Sequence, residues 1–102
     1  MRVAGRSCPA CGLHTVSATP RCPSCRGDLV ESPFGPEGTV WSSTVVRVPI
    51  PGRTPPIVMA YVDLDDGPRV LCHVAAATDR VPIGRRVRVV GTTASGDLEV
   101  SA

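Results

Sequence analysis

From residue 39 onward β-branched residues dominate, and polar and apolar positions begin to alternate with the two-residue period of a half-buried strand. The stretch 39–48 alternates in part and predicts a long first strand. Residues 49–56, Pro-Ile-Pro-Gly-Arg-Thr-Pro-Pro, are too broken for a strand interior and read as a proline-rich loop. A second strand over 57–64 is closed by the turn Asp65-Asp66-Gly67-Pro68, and a third runs over 69–76. Pro82 and Gly84 make residues 78–85 a loop. A fourth strand over 86–90, a turn region over 91–96 and a short fifth strand over 97–100 complete the series.

Five strands without a helix fit a small closed or nearly closed barrel. The OB-fold is favoured, on strand count and on a first strand long enough to bend and serve both sheets. The helix usual between its third and fourth strands is reduced here to the loop 78–85. An SH3-like barrel is the structural alternative.

The first third is different. Its large apolar residues are Val3, Leu13, Val16, Leu29 and Val30, too few to sustain a fold alone. Composition changes at 32–38, Ser-Pro-Phe-Gly-Pro-Glu-Gly, a run that forbids a helix and reads as a short, stiff linker. The chain therefore divides into residues 1–32 and 33–102. The first unit carries Cys8-Pro-Ala-Cys11 and Cys22-Pro-Ser-Cys25. Two such pairs, ten residues apart, present four thiolates at the corners of a tetrahedron, which reads as a rubredoxin-like zinc ribbon. Gly12 and Gly27 fall where a metal knuckle needs positive φ or close backbone approach, and Pro9 and Pro23 stiffen the turns. Arg6, Arg21 and Arg26 are expected to favour thiolate over thiol.

Other uses of these cysteines fit less well. Met1-Arg2-Val3 leads into no apolar stretch resembling a signal peptide, which argues against secretion and disulfides. A redox pair needs only one Cys-x-x-Cys on a βαβ background. An iron site of rubredoxin type uses the same knuckles but usually a much longer gap between them, which favours zinc, although the sequence alone does not separate the two metals. The expectation is one structural Zn²⁺ on Cys8, Cys11, Cys22 and Cys25, with no open position for substrate. Such an ion typically supplies ~10 kcal/mol or more, so the ribbon should unfold when the metal is chelated.

Charge and residue chemistry narrow the function. Net charge is only +2, lysine is absent, and Arg85-Arg86-x-Arg88 is the sole cluster among eleven arginines. The aromatic residues are Phe34, Trp41 and Tyr61, and only Tyr61 is placed for base stacking. These features argue against nucleic acid, although a single-stranded nucleic-acid module remains the alternative reading. No Ser-His-Asp set, phosphate loop or paired carboxylates mark an enzyme. Asp63, Asp65 and Asp66 flank a turn and read as solvated. Cys72 reads as a buried small hydrophobe between Val70 and Val74, with His73 facing out or filling a polar niche. His14 reads as a surface residue beside Cys11. No membrane segment is evident, and thiols that must stay reduced point to the cytoplasm.

In order along the chain stand Cys8-Pro-Ala-Cys11-Gly12, Pro20-Arg21-Cys22-Pro-Ser-Cys25 and Gly38-Thr39-Val40-Trp41-Ser42-Ser43-Thr44-Val45-Val46. There follow Pro55-Pro56, Val58-Met59-Ala60-Tyr61-Val62-Asp63-Leu64, Asp66-Gly67-Pro68-Arg69-Val70-Leu71 and Ile83-Gly84-Arg85-Arg86-Val87-Arg88-Val89. In these blocks the chain resembles the small rubredoxin-like zinc-ribbon plus OB-fold proteins that accompany thiolase-superfamily enzymes. The resemblance implies a non-catalytic accessory subunit. Its partner would be a thiolase, a ketosynthase-like enzyme, a hydroxymethylglutaryl-CoA synthase or a related aldolase. It also implies acyl-CoA handling or acyl transfer at the shared interface, including in polyketide or lipid metabolism of a bacterium. Members commonly begin with one or two helices, whereas seven residues precede Cys8 here. Phe34, Trp41 and Tyr61 are expected in the core or, where exposed, at the partner contact. The loop 49–56, with Ile50, is a pre-ordered apolar loop suited to docking. Arg85, Arg86 and Arg88 are candidates for CoA phosphates, with a solvated strand edge as the duller reading.

Overall fold

The computed structural model describes residues 2–17, 19–93 and 96–102. Three two-residue strands, β1 (Arg6–Ser7), β2 (His14–Thr15) and β3 (Val30–Glu31), form an antiparallel sheet in the order β2-β1-β3. Five longer strands follow: β4 (Glu37–Val46), β5 (Ile57–Leu64), β6 (Arg69–Val74), β7 (Arg86–Thr92) and β8 (Leu98–Ser101). They close into a barrel in the order β4-β5-β6-β8-β7, with β6 and β8 parallel and the other pairs antiparallel. The fold is a cysteine-bearing ribbon followed by a five-stranded OB-type barrel, and the described residues contain no helix.

Valine makes most of the core. Val40, Val62, Val89 and Val100 are essentially inaccessible, and each faces inward from a strand whose alternate residues face out. Short β-branched side chains suit so narrow an interior. Residues 75–85 cross between the third and fourth barrel strands without a helix. Val81 reaches the core, its N–H donates to Ser43 Oγ at 3.0 Å, and Gly84 N–H donates to Val40 O at 2.9 Å.

The strand limits shift where the barrel closes. β4 starts at Glu37, two residues before the expected start, because Glu37, Gly38 and Thr39 pair with Arg88, Val87 and Arg86. Gly38 lies at that seam: a Cβ there would sit 2.6 Å from Asp63 O and 2.7 Å from Val62 Cγ1. A glycine that reads as a loop signal is thus a site of close strand approach. β7 runs on to Thr92, so the expected turn over 91–96 begins later, and residues 94 and 95 lie outside the described residues.

The largest correction concerns residues 32–38, which do not act as a spacer. Val3 and Phe34 exchange two backbone hydrogen bonds, of 2.7 and 2.8 Å, and Ser32 N–H donates to Gly5 O at 2.9 Å. Phe34 is only 1% exposed and belongs, with Val3, to the barrel's own apolar cluster. Its ring is clamped between Gly5 and Gly67; a Cβ on Gly67 would lie 2.5 Å from Phe34 Cγ. Arg2 and Asp66 brace the same junction, with Arg2 donating to Pro33 O at 3.0 Å and Asp66 accepting from Gly35 N–H at 2.8 Å. Phe34 is therefore withdrawn as a partner contact: the ribbon and the barrel need it between them.

Phe34→Ala is expected to cost about 3–5 kcal/mol in urea unfolding, as for other buried aromatics. Trp41→Ala, on the barrel surface, is expected to cost less than about 1 kcal/mol. Equal losses in the two variants would contradict this assignment of core and surface.

Candidate functional site

Each cysteine pair is set by the same backbone device, repeated. Cys8 N–H donates to Leu13 O and Gly12 N–H to Cys8 O, both at 2.8 Å. Fourteen positions on, Cys22 N–H donates to Gly27 O at 2.9 Å and Arg26 N–H to Cys22 O at 2.8 Å. This turn demands a left-handed residue after the second cysteine. Gly12 supplies it at φ 79°, and Arg26 supplies it at φ 62°. Gly27 serves the other purpose expected of it, close approach, since a Cβ there would lie 3.3 Å from Cys25 Sγ and 3.6 Å from Cys8 Sγ.

The two turns bring all four Sγ atoms within 4.8 Å of one another, with Cys8–Cys25 and Cys11–Cys22 at 3.5 Å. A tetrahedron of ~2.3 Å metal–sulfur bonds has edges of about 3.8 Å, so the set has the dimensions of a tetrathiolate site. No pair is close enough for a disulfide, and all five cysteines are free. His14 is not in the group; it packs edge-on to Phe34 at 5.4 Å.

Backbone N–H groups do most to ionise the inner sulfurs. The Cys25 N–H holds the Cys22 thiol down at about 7, and the Cys11 N–H lowers Cys8 in the same way. Cys11 and Cys25 receive N–H groups from Leu13 and Gly27, yet their neighbours' sulfurs push them up, Cys25 to about 12. Two sulfurs are thus lowered and two raised, because thiolates this close repel one another, and a cation at the centre would relieve that repulsion. The expected help from Arg6 and Arg21 is corrected. Arg6 is turned to Thr19 O at 3.2 Å and Arg21 to Asp28 at 3.0 Å.

On the barrel, Trp41 and Tyr61 are about half exposed and meet edge to face at 6.1 Å, so neither takes a place in the core. The Arg69 guanidinium lies 3.8 Å over the Trp41 ring and grips both oxygens of Asp63 at 2.7 and 3.2 Å. Of the candidate phosphate arginines, Arg86 is held by Asp65 at 2.6 Å and Arg88 by Glu37 at 3.1 Å. Asp65 is correspondingly lowered by Arg86. Arg85 is exposed and in no ion pair among the described residues.

Cys72 is fully buried, and burial pushes its thiol up to about 11, so it is an inert core residue. His73, on the opposite face of β6, fills a polar niche that the sequence did not locate. Its Nδ1 lies 3.0 Å from Arg53 Nη2 and its Nε2 3.3 Å from Asp97 Oδ2. Arg53 comes from the proline-rich loop and Asp97 from the turn before β8, and only the closed barrel brings them together. No helix among the described residues is long and apolar enough to cross a membrane.

A tetrathiolate ribbon continuous with a closed five-stranded barrel defines a small class of two-part β proteins. Residues 31–92 match the family described as ChsH2, C-terminal OB-fold domain, and the chain belongs to that family. It is similar to a chain of the Ltp2–ChsH2(DUF35) aldolase, with 27% identity and a TM-score of 0.80, over 98% of this chain and 84% of that one. It is also similar in fold to a DUF35-family protein of unknown function from Sulfolobus solfataricus, with 20% identity and a TM-score of 0.71 over 99% and 75% of the two chains. The first likeness runs against the expectation of a non-catalytic accessory subunit of an acyltransferase complex, because the structure that this chain resembles is named an aldolase, an enzyme.

Reduced protein loaded with Co²⁺ is expected to show the visible bands of a tetrahedral tetrathiolate at one ion per chain. Cys22→Ser should abolish them and Cys72→Ser should leave them unchanged. Acidification should bleach them, because protons compete with the metal for thiolate. Bands that survive Cys22→Ser would contradict the site.

Proposed function

We propose that this chain is a subunit of an aldolase-type enzyme complex, assembled with a larger, thiolase-like enzyme acting on acyl-CoA substrates. The supporting observation is its likeness, over nearly its whole length, to a chain of the Ltp2–ChsH2(DUF35) aldolase. The sequence blocks that resemble thiolase-associated proteins point to the same group of enzymes. Within the complex the chain contributes to assembly and to handling of the acyl-CoA. Arg85 is the member of the arginine cluster free to meet a CoA phosphate, since Arg86 and Arg88 would first have to leave Asp65 and Glu37.

The cysteine centre holds one Zn²⁺ in this proposal. Four thiolates in a closed tetrahedron leave no position for substrate, so the ion is structural. The reduced thiols it requires fit a cytoplasmic complex.

Affinity purification of the tagged chain from its own cells, under reducing conditions, tests both parts. The expected result is stoichiometric recovery of a larger enzyme, a pair that catalyses aldol-type cleavage of an acyl-CoA, and one zinc per chain. A chain that elutes alone would contradict the first part, and iron in place of zinc the second.

A further inference from the structure

We propose that the outer face of β4, β5 and β6, centred on Trp41, is the surface on which the larger enzyme of the complex docks, through an apolar and uncharged patch of that enzyme. The inference rests on the complex proposed above and identifies the surface used.

Three observations carry it. The first is backbone geometry. Val40 lies opposite Val62 and Ser42 opposite Tyr61, so Trp41 is the extra residue of a β-bulge. The bulge adds an indole to the outer face while Val40, at 1% exposure, keeps its place inside. The second is continuity. Tyr61 is the register partner of Leu71, and Trp41, Tyr61 and Leu71 are 49%, 45% and 47% exposed. Three large side chains therefore adjoin on one face of a closed sheet, where no strand edge is open for pairing and contact must be made by side chains.

The third observation is charge. Around the apolar centre, Arg69 is paired with Asp63, Arg86 with Asp65 and Glu37, and Arg88 with Glu37. Three cations and three carboxylates neutralise one another. A polyanion finds no unpaired cation among these residues, which disfavours single-stranded nucleic acid despite the aromatic pair. A strongly charged protein surface is equally mismatched. What complements a neutral rim around Trp, Tyr and Leu is a protein patch with an apolar centre. Arg69, held 3.8 Å over the indole, fixes the ring before contact and reduces the entropy lost on docking.

Trp41 is the chain's single tryptophan, so growth on 5-fluorotryptophan gives one ¹⁹F resonance from the centre of the face. The probe is the unlabelled larger enzyme recovered with the tagged chain. Its addition should shift that resonance and remove its sensitivity to D₂O. Trp41→Ala should weaken the complex about 30-fold or more, as loss of a hot-spot residue does, and Ile83→Ala, exposed elsewhere, should not. The ¹⁹F measurement needs no substitution, so it decides the matter even if Trp41→Ala folds poorly. A complex that forms with the resonance unmoved overturns this inference and leaves the complex standing. Failure to recover any larger enzyme overturns both. A resonance that moves with a thymidine oligonucleotide, or with rising concentration of the chain alone, overturns the choice of occupant.

Discussion

The knuckle end of the first third of the chain depends on four sulfur atoms held within 4.8 Å of one another. The strands around them are two residues long, and apart from Val3 the buried apolar residues among the described part of 2–31 are Cys8 and Cys22. Three such strands bury too little to oppose chain entropy. A metal ion held by the four sulfurs would supply the missing stabilisation, and the two knuckles are built for it, aiming backbone N–H groups at the sulfurs. A cation at the centre would offset the charge repulsion among the thiolates.

The opposite end of the ribbon is held by packing. Val3 and Phe34 bond to each other through the backbone and lie in the barrel's cluster, so one apolar core runs from the N-terminal segment into the barrel. Gly5 and Gly67 leave the space the ring occupies. A four-cysteine cluster at one end and an aromatic wedge at the other mark the two points where the ribbon is held. The barrel in turn carries the Trp41 face on strands closed into a ring, where the bulge in β4 is the one departure from strict alternation near the indole.

Much of this was legible in the sequence, for physical reasons that also mark the limit. The second strand was read to the residue, because alternation over 57–64 is set by the barrel's inside and outside. The cysteines were legible because metal geometry fixes spacing. The segment 32–38 reads as a spacer because its prolines and glycines signal a turn, while the contacts that bury Phe34, a core candidate in the sequence, come from Val3 and Gly67, some thirty residues away on either side. Trp41 was ambiguous because a bulge changes which face a residue takes, and local pattern does not announce one. The Arg53–His73–Asp97 niche was invisible because no local spacing joins a proline loop, a central strand and a hairpin turn.

Amide hydrogen exchange with and without a chelator tests most directly the claim that metal holds the ribbon while the barrel holds itself. Removal of the metal should abolish protection at the amides of Cys8, Gly12, Cys22 and Arg26, whose hydrogen bonds form the knuckles. Amides of β5 and β6 should remain protected. Knuckle amides that keep their protection after chelation, or a barrel that loses its own at the same point, would contradict the account.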